Sequence, residues 1–325
     1  MNVTWNRSSC SSGLNPTAYK LGATIACCLI FVVSLIGNSC IGITFYTTKT
    51  LRKPINIFIV NMAISDLLTS LVFIIRNITT EYFDSWYIRG AFDKALCKIP
   101  HVLSDVSWIV SIESLVLIAV DRFEAVVFPL RSQLINSNRC PFLIFSSWVL
   151  ATAVTLPLFF GYIRNEEVHN CFSYWNDFVG ESSWMTMYLL ALYVVFIYAP
   201  IISLIILYSF ILIKLKSEKI PGEQSTHAEK LRAKRNRNVL KMAIAIVLGF
   251  IICWIPSSVD YLLRFIIWAD SSPPCGFIIY SETVWFLVAS YCVVNPCICF
   301  TLSRNYRESL KRLFKCLTSA SYNLQ

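Results

Sequence analysis

Hydrophobic and polar positions divide this chain into seven long apolar runs separated by shorter polar segments. Each run reaches the roughly 20 residues that an α-helix needs to cross a lipid bilayer. Polar residues within the third and fifth runs indicate helices that contact one another as well as lipid. The pattern therefore predicts an all-α membrane protein, a bundle of seven transmembrane helices. The predicted spans are 21–46, 55–80, 97–127, 141–162, 184–213, 238–267 and 277–301.

The segments that flank the bundle have patterns of their own. Residues 1–20 are polar and lack the apolar stretch of a cleavable signal peptide, so they are expected to form an extracellular tail. After the transmembrane domain, 21–301, the stretch 303–316 alternates basic and apolar residues at helical spacing. This pattern is typical of a helix lying in the membrane interface, and a disordered basic tail is the alternative. The helix and a short tail would make up a cytoplasmic segment, 302–325.

Lysine and arginine indicate which side of the membrane each segment faces. They concentrate after the first, third, fifth and seventh spans, and loops with such an excess face the cytoplasm. The N-terminus is therefore expected outside, where the sequons of Asn2 and Asn6 would be glycosylated. We expect a multi-pass glycoprotein of the plasma membrane.

Composition agrees with a membrane protein and narrows its partners. The 325 residues are 56% hydrophobic and 14% charged, with a mean hydropathy of +0.60, which is too apolar for a soluble globule. Basic loops that face anionic lipid head groups account for the net charge of +9. Membrane lipids are therefore expected partners, and nucleic acid is not.

Four of the 13 cysteines fall on the outer, oxidising side, namely Cys10, Cys97, Cys171 and Cys275. A bond from Cys97 to Cys171 would hold the loop after the fourth span over the bundle mouth. A bond from Cys10 to Cys275 would tie the tail to the seventh span. Four cysteines allow three pairings, so the pairing stays open. On the inner side, Cys316 is a palmitoylation candidate, with a free thiol as the alternative.

Asp66 is the clearest ionisable residue inside a predicted span. An isolated carboxylate at that depth is unfavourable by about 2.5–3.5 kcal/mol, so it needs partners. Asn38, Ser111 and Asn295 are polar residues at comparable depth in the first, third and seventh spans. We expect a hydrated cluster that holds a cation or a proton. The alternative is a purely structural polar contact between helices.

A charged pair and four prolines mark places where the spans could change shape. Asp121-Arg122, at the inner end of the third span, is either an ordinary ion pair or a switch whose arginine changes partners. Proline removes a backbone hydrogen bond and bends a helix. Trp254 lies next to one of these bends, and Asn295 is expected to help satisfy another. The bends are expected at Pro157, Pro200, Pro256 and Pro296.

These residues fall in short motifs whose order and spacing resemble the rhodopsin-like (class A) G-protein-coupled receptors over essentially the whole chain. The resemblance implies a receptor that binds an extracellular ligand and activates heterotrimeric G proteins. It implies no enzymatic activity and no cofactor apart from a sodium ion. The matching pieces are GNS at 37–39, AISDLL at 63–68, Cys97, DRFEAVVFPL at 121–130, Trp148, Pro200 with Tyr208, FIICWIP at 250–256 and NP at 295–296.

The resemblance also implies roles for single residues. Trp254 matches the family's switch aromatic, and Arg122 matches the residue that contacts the G protein. Beneath the ligand pocket, the connector residues are matched by Pro200, Ile112 and Phe250. The sodium pocket is matched by Asp66, Ser111 and Asn295.

Three motifs depart from the family pattern. Cys299 replaces the tyrosine of NPxxY, Phe123 replaces that of DRY, and Tyr291-Cys292 replaces the polar pair before NP. In the family, the tyrosine at the position of Cys299 bridges through water to the residues matching Tyr208 and Arg122 in the active state. A thiol is shorter and a weaker donor, so this chain is expected to lack that bridge.

The sequence narrows the ligand class by exclusion. The seventh span, 277–301, contains no lysine for a retinal Schiff base, so an opsin is excluded. Where amine receptors carry an aspartate, this chain has Ser104, with Asp105 one place on. One residue turns a helix by about 100°, which disfavours an amine.

Acidic residues near the bundle mouth favour a cationic, neuropeptide-like ligand. The loop 163–183 is acidic and aromatic and resembles the strand-forming loops of peptide receptors. A basic or amidated peptide would find charge and stacking surface there. The alternative is a solvated rim without a ligand role. The acidic candidates are Glu81, Glu166, Glu167, Asp260 and Glu282.

Two other functions are alternatives to a peptide receptor. One is a G-protein-coupled receptor for an amine or another small molecule. The other is an ion-coupled transporter that uses Asp66 as its coupling site. Transporter folds commonly show internal repeats, and neither half of this chain resembles the other.

Overall fold

The structure, a computed structural model, describes most of the chain as helices. The described residues are 16–82, 91–128, 134–164, 171–173, 183–217, 227–267 and 274–322. Within these ranges, seven helices are long and apolar enough to cross a membrane, which confirms the seven predicted spans. Eight α-helices form these seven spans, because the fifth span contains both α5 and α6: α1 Pro16–Thr47, α2 Pro54–Tyr82, α3 Ala91–Val127, α4 Cys140–Gly161, α5 Ser183–Tyr193, α6 Ala199–Ser217, α7 His227–Ile266 and α8 Cys275–Leu302.

The fifth span consists of two α-helices joined by a π-helical turn. The turn, Val194–Tyr198, connects α5 to α6 and ends two residues before Pro200. Proline has no amide hydrogen to donate, and a π turn is one way for a helix to accommodate the interruption. The predicted distortion of this span therefore takes the form of a widened turn.

The second and third spans are the centre of the bundle. In the most apolar stretch of each of these two spans, 56% of the residues are buried. In the first, fourth and fifth spans the corresponding share is 22%. Leucine and isoleucine side chains on those outer spans are exposed, as expected for helix faces that meet lipid. The polar residues of the third span therefore belong to the protein interior.

A pair of short strands and a helix after the seventh span also agree with the sequence predictions. Strands β1, Tyr162–Arg164, and β2, Cys171–Ser173, pair antiparallel in the loop after the fourth span. The helix α9, Arg304–Tyr322, follows a single non-helical residue, Ser303. It confirms the helix predicted over 303–316, and we call it the interfacial helix. Basic residues occupy its exposed positions, among them Arg304 and Arg307.

Two glycines allow the seventh span to approach its neighbours closely. A methyl group on Gly37 of α1 would lie 2.7 Å from Cβ of Pro296. A methyl group on Gly249 of α7 would overlap the side chain of Val294. Both distances are shorter than real side chains tolerate, so the first, sixth and seventh spans can pack this tightly only because these residues lack a side chain.

Candidate functional site

A buried polar cluster joins the second, third and seventh spans. Asn295 donates a hydrogen bond of 2.7 Å from its Nδ2 to the Asp66 carboxylate, and both residues are almost fully buried. Ser111, on the third span, lies close to this carboxylate. The structure therefore brings together the three residues that match the family's sodium pocket.

Tyr291 is a further member of this cluster, which the sequence indicated only as a departure from the family pattern. The Ser111 hydroxyl donates to the Tyr291 oxygen at 3.4 Å. Tyr291 also lies close to Asn295, and its ring meets Phe250 edge-on at 5.6 Å. The phenol therefore links the polar cluster to the aromatic residues above it.

Asn38 occupies a different place from the one expected. Its Nδ2 donates at 3.0 Å to the carbonyl of Cys292 and at 3.0 Å to that of Ser34. The Cys292 carbonyl is the one that Pro296, four residues later, leaves without an intrahelical donor. The expectation that Asn295 satisfies this bend is therefore wrong. Asn295 is directed to Asp66, and the first span supplies the donor.

The donor types in the cluster fit a hard cation. Besides the Asp66 carboxylate and the Ser111 hydroxyl, the Oδ1 atom of Asn295 is buried and accepts no hydrogen bond from the described residues. Sodium, like calcium and magnesium, prefers oxygen ligands of these kinds. The residues present are therefore compatible with the ion that the family resemblance implies.

An aromatic stack connects the outer pocket to the polar cluster. Trp254 lies 5.3 Å from Trp108 and 5.8 Å from Phe250 between ring centroids. Phe250 and Ile112 are fully buried beneath it. The predicted switch residues of the third and sixth spans therefore lie in one contiguous path through the bundle.

Two predicted pocket acids come together at the outer end of the bundle. Asp105 and Asp260 both lie within electrostatic range of the Tyr193 phenol. Asp105 accepts from Nε1 of Trp108 at 3.2 Å, and Asp260 accepts from the Ser281 hydroxyl. Tyr193 stacks on Tyr261 at 3.9 Å, a pair that sequence reasoning missed because it depends on the rotation of two helices.

Glu282 lies apart from these two acids. It accepts a hydrogen bond of 3.1 Å from Tyr19 of the first span. Nearby, the guanidinium of Arg76 lies 4.3 Å from the ring centroid of Trp285, a cation–π contact that the sequence did not indicate. Ser104 is half-buried on the same helix as Asp105. The structure thus joins Glu282 to the first span and Arg76 to Trp285.

Asp121 and Arg122 form an ion pair near the C-terminal end of the third span. Arg122 donates to Asp121 from Nε at 2.9 Å, and also from Nη2, and the carboxylate is 3% exposed. Tyr208 lies close enough for the charges of Arg122 and Asp121 to act on it electrostatically. Its buried hydroxyl has no hydrogen-bond partner among the described residues. Cys299 is fully buried. Arg122, Asp121 and Tyr208 thus form one group at this end of the bundle.

Several predictions fall outside the described residues. These include the sequons of Asn2 and Asn6, Cys10, and the loop acids Glu166 and Glu167. The side chains of four cysteines, Cys97, Cys171, Cys275 and Cys316, and that of Glu81 are likewise not described. Both disulfides, glycosylation and palmitoylation therefore stay predictions.

Comparison with known proteins places this arrangement in a family context. The chain is 26% identical over 317 residues to the Neuromedin U receptor homolog nmur-2 of Caenorhabditis elegans, covering 87% of this chain and 76% of that protein. It is 28% identical over 297 residues to the RYamide receptor of Drosophila melanogaster, with 87% and 61% covered. It is 28% identical over 325 residues to the Substance-P receptor of Rattus norvegicus, with 97% and 76% covered.

Structural and family comparisons agree with these relatives. The fold is similar to that of squid rhodopsin, with a TM-score of 0.74 at 21% identity over 95% of this chain and 89% of that one. Residues 37–298 match the family described as 7 transmembrane receptor (rhodopsin family). The members are receptors, which agrees with the expectation that the chain is not an enzyme. This protein belongs to the rhodopsin family of seven-transmembrane receptors.

Proposed function

We propose that this protein is a plasma-membrane receptor that binds an extracellular, cationic, neuropeptide-like ligand and activates heterotrimeric G proteins. Its N-terminus faces outward. The observation that carries the ligand class is that two carboxylates, Asp105 and Asp260, lie within electrostatic range of the same phenol, Tyr193, which stacks on Tyr261. The names of the relatives, receptors for neuromedin U, RYamide and substance P, support a peptide.

The chemistry of the outer pocket favours a ligand cation. Two carboxylates near one tyrosine offer hydrogen-bond acceptors to an ammonium or guanidinium group. A guanidinium can donate to both of them. The stacked rings of Tyr193 and Tyr261 provide a flat surface on which a cation or an aromatic ligand side chain can pack. An arginine-containing or amidated peptide combines these features.

The aromatic stack beneath the pocket supports a route for the signal. A ligand that displaces Trp108 or Trp254 also disturbs Phe250 and, through it, Tyr291. Tyr291 belongs to the polar cluster, where Asp66, Ser111 and the amide oxygen of Asn295 would hold a sodium ion. Displacement of the sixth span would then open the inner end of the bundle, where Arg122 lies beside Asp121, to the G protein.

A screen of ligands tests both parts of this proposal. Membranes with the full-length receptor are combined with G proteins of each class, and nucleotide exchange is measured against a peptide library and an amine library. We expect activation by a cationic peptide. Activation by amines alone would favour the small-molecule alternative. Peptide binding without nucleotide exchange would contradict G-protein coupling.

Charge reversal at the pocket tests the ligand contacts. With the activating peptide, replacing Asp260 and Glu282 together by lysine is expected to weaken binding by more than the ~1 kcal/mol of a surface ion pair. Asp105→Asn should weaken binding as well, and Glu282→Lys alone should have a smaller effect, since Glu282 lies apart and is bonded to Tyr19. An uncharged lipid agonist, unaffected by these changes, would overturn the peptide assignment.

A further inference from the structure

The inner end of the seventh span and the interfacial helix bury two residues next to each other. Cys299 precedes the break at Ser303, and Tyr306 follows it. Both side chains are fully buried. Burial raises the pKa of the Tyr306 phenol well above its ordinary value, and the nearby Cys299 thiol contributes to that rise. Tyr306 therefore remains a neutral hydrogen-bond donor at physiological pH.

Tyr306 connects the interfacial helix to the second span. Its hydroxyl donates to Oδ1 of Asn56 at 3.5 Å, a long hydrogen bond. Asn56 in turn donates from Nδ2 to the carbonyl of Leu51 at 2.8 Å, in the turn between the first two spans. The Tyr306 ring meets Phe300 edge-on at 5.9 Å, which fixes its orientation. One phenol thus links the end of the seventh span to the first intracellular turn.

A second polar contact lies one helical turn further along the interfacial helix. Thr48 donates to the hydroxyl of Ser309 at 3.0 Å, and Ser309 is buried. The interfacial helix is therefore attached at two points to the segment that joins the first and second spans. A single residue, Ser303, separates it from α8, so a displacement of the inner part of α8 about the bend at Pro296 must displace Tyr306 as well.

We propose that Tyr306 is a positioning residue for G-protein activation, whose hydroxyl bond to Asn56 holds the inner end of the seventh span in its resting position. This inference rests on the proposed function. It follows from the chain's own chemistry, since Cys299 offers only a weak thiol donor at the position where the family's tyrosine acts in the active state. The hydroxyl that responds to the seventh span is then on the interfacial helix and favours the resting state.

Removal of the hydroxyl alone is the direct test. Tyr306→Phe keeps the buried ring and removes one hydrogen bond, so ligand-free nucleotide exchange at matched surface expression should rise about two- to tenfold. Tyr46→Phe is the control, because Tyr46 is 78% exposed on the first span, and it should leave exchange unchanged. If Tyr306 had only a structural role, its replacement would lower surface expression or nucleotide exchange instead of raising exchange.

A double-mutant cycle identifies the partner. Asn56→Ala should raise exchange, and adding Tyr306→Phe to it should produce no further rise, since the bond is already lost. Hydrogen exchange of residues 303–316 in the purified receptor should be faster in Tyr306→Phe, whether or not a G protein is present. This measurement separates the helix attachment from signalling.

The outcomes distinguish the inference from the proposed function. Measurable exchange in the parent that Tyr306→Phe leaves unchanged overturns the inference alone. Equal effects of Tyr306→Phe in the parent and in the Asn56→Ala background also overturn it. Absence of nucleotide exchange in the parent and in all variants, with every class of G protein, overturns the proposed function and this inference with it.

Discussion

The side-chain amide of Asn38, on the first span, donates a 3.0 Å hydrogen bond to the carbonyl of Cys292 on the seventh. Pro296 lacks the amide hydrogen that would otherwise satisfy this carbonyl within the helix. Gly37, the preceding residue, lets Pro296 approach the first span closely. The bend of the seventh span is therefore stabilised by two adjacent residues of another helix.

Asn38→Ala is expected to destabilise the receptor, because it leaves the Cys292 carbonyl buried and unsatisfied at a cost of about 1–3 kcal/mol. The measurement is thermal unfolding of the purified receptor in detergent. Asn305→Ala, at an exposed position of the interfacial helix, is the control and should have little effect. Equal unfolding temperatures for the two variants would show that the carbonyl finds another donor.

Asn38 also shows what the sequence could and could not predict. The apolar runs determine where each span lies, because a helix must satisfy its own backbone in lipid, and the basic amphipathic stretch determines the interfacial helix. The depth of Asn38 was predictable from its position in the first span. Its partner was not, because the rotation of that helix against the seventh is set by tertiary packing.

In the outer pocket, too, the sequence predicts the residue types and tertiary packing determines their partners. The sequence predicts that Asp105 and Asp260 lie near the bundle mouth. That both lie within electrostatic range of Tyr193 depends on how the third, fifth and sixth spans face one another. The π turn at Val194–Tyr198 changes the phase of the fifth span relative to an unbroken helix. No local pattern in the sequence indicates the size of that change.

Gly249→Ala is expected to separate the sixth and seventh spans at their inner halves, because the added methyl group overlaps Val294. Overpacking of this kind typically costs about 1–3 kcal/mol in the resting arrangement. The variant should therefore unfold at lower temperature and show raised ligand-free nucleotide exchange. Gly42→Ala is the matched control, because nothing lies within 4 Å of a methyl group there. A Gly249→Ala receptor as stable and as quiet as Gly42→Ala would contradict this prediction.

Arg122→Ala is expected to abolish G-protein activation while ligand binding and surface expression persist. The guanidinium offers a fork of donors that a G-protein carbonyl could accept from. Because Asp121 is buried beside it, Arg122→Lys is a second variant that keeps a cation next to the carboxylate but lacks the fork. It should express well and also fail to signal. The control, Arg304→Ala, removes an exposed arginine that likewise pairs with a carboxylate on its own helix. Full signalling by Arg122→Ala would leave Arg122 with only an ion-pair role.

Cys299→Tyr restores the family's tyrosine and is expected to raise ligand-free nucleotide exchange. The Tyr208 hydroxyl is buried and has no hydrogen-bond partner among the described residues, so it is available to a new donor. One net hydrogen bond is worth about 0.5–1.5 kcal/mol, which changes the ratio of active to inactive receptor by roughly two- to thirteenfold. The parent, with a thiol at this position, should therefore have low basal activity at matched surface expression.

Bulk must be separated from hydrogen bonding in this experiment, since Cys299 is fully buried and a larger side chain there will press on its neighbours. Cys299→Phe adds the same ring without the hydroxyl, so it measures the effect of overpacking alone. If a bridge to Tyr208 forms, Cys299→Tyr exceeds Cys299→Phe, and Tyr208→Phe removes the difference between them. If Cys299→Phe activates as strongly, or if Tyr208→Phe leaves the gain of Cys299→Tyr intact, the bridge is not the cause. The activation would then come from displacement of the seventh span by volume.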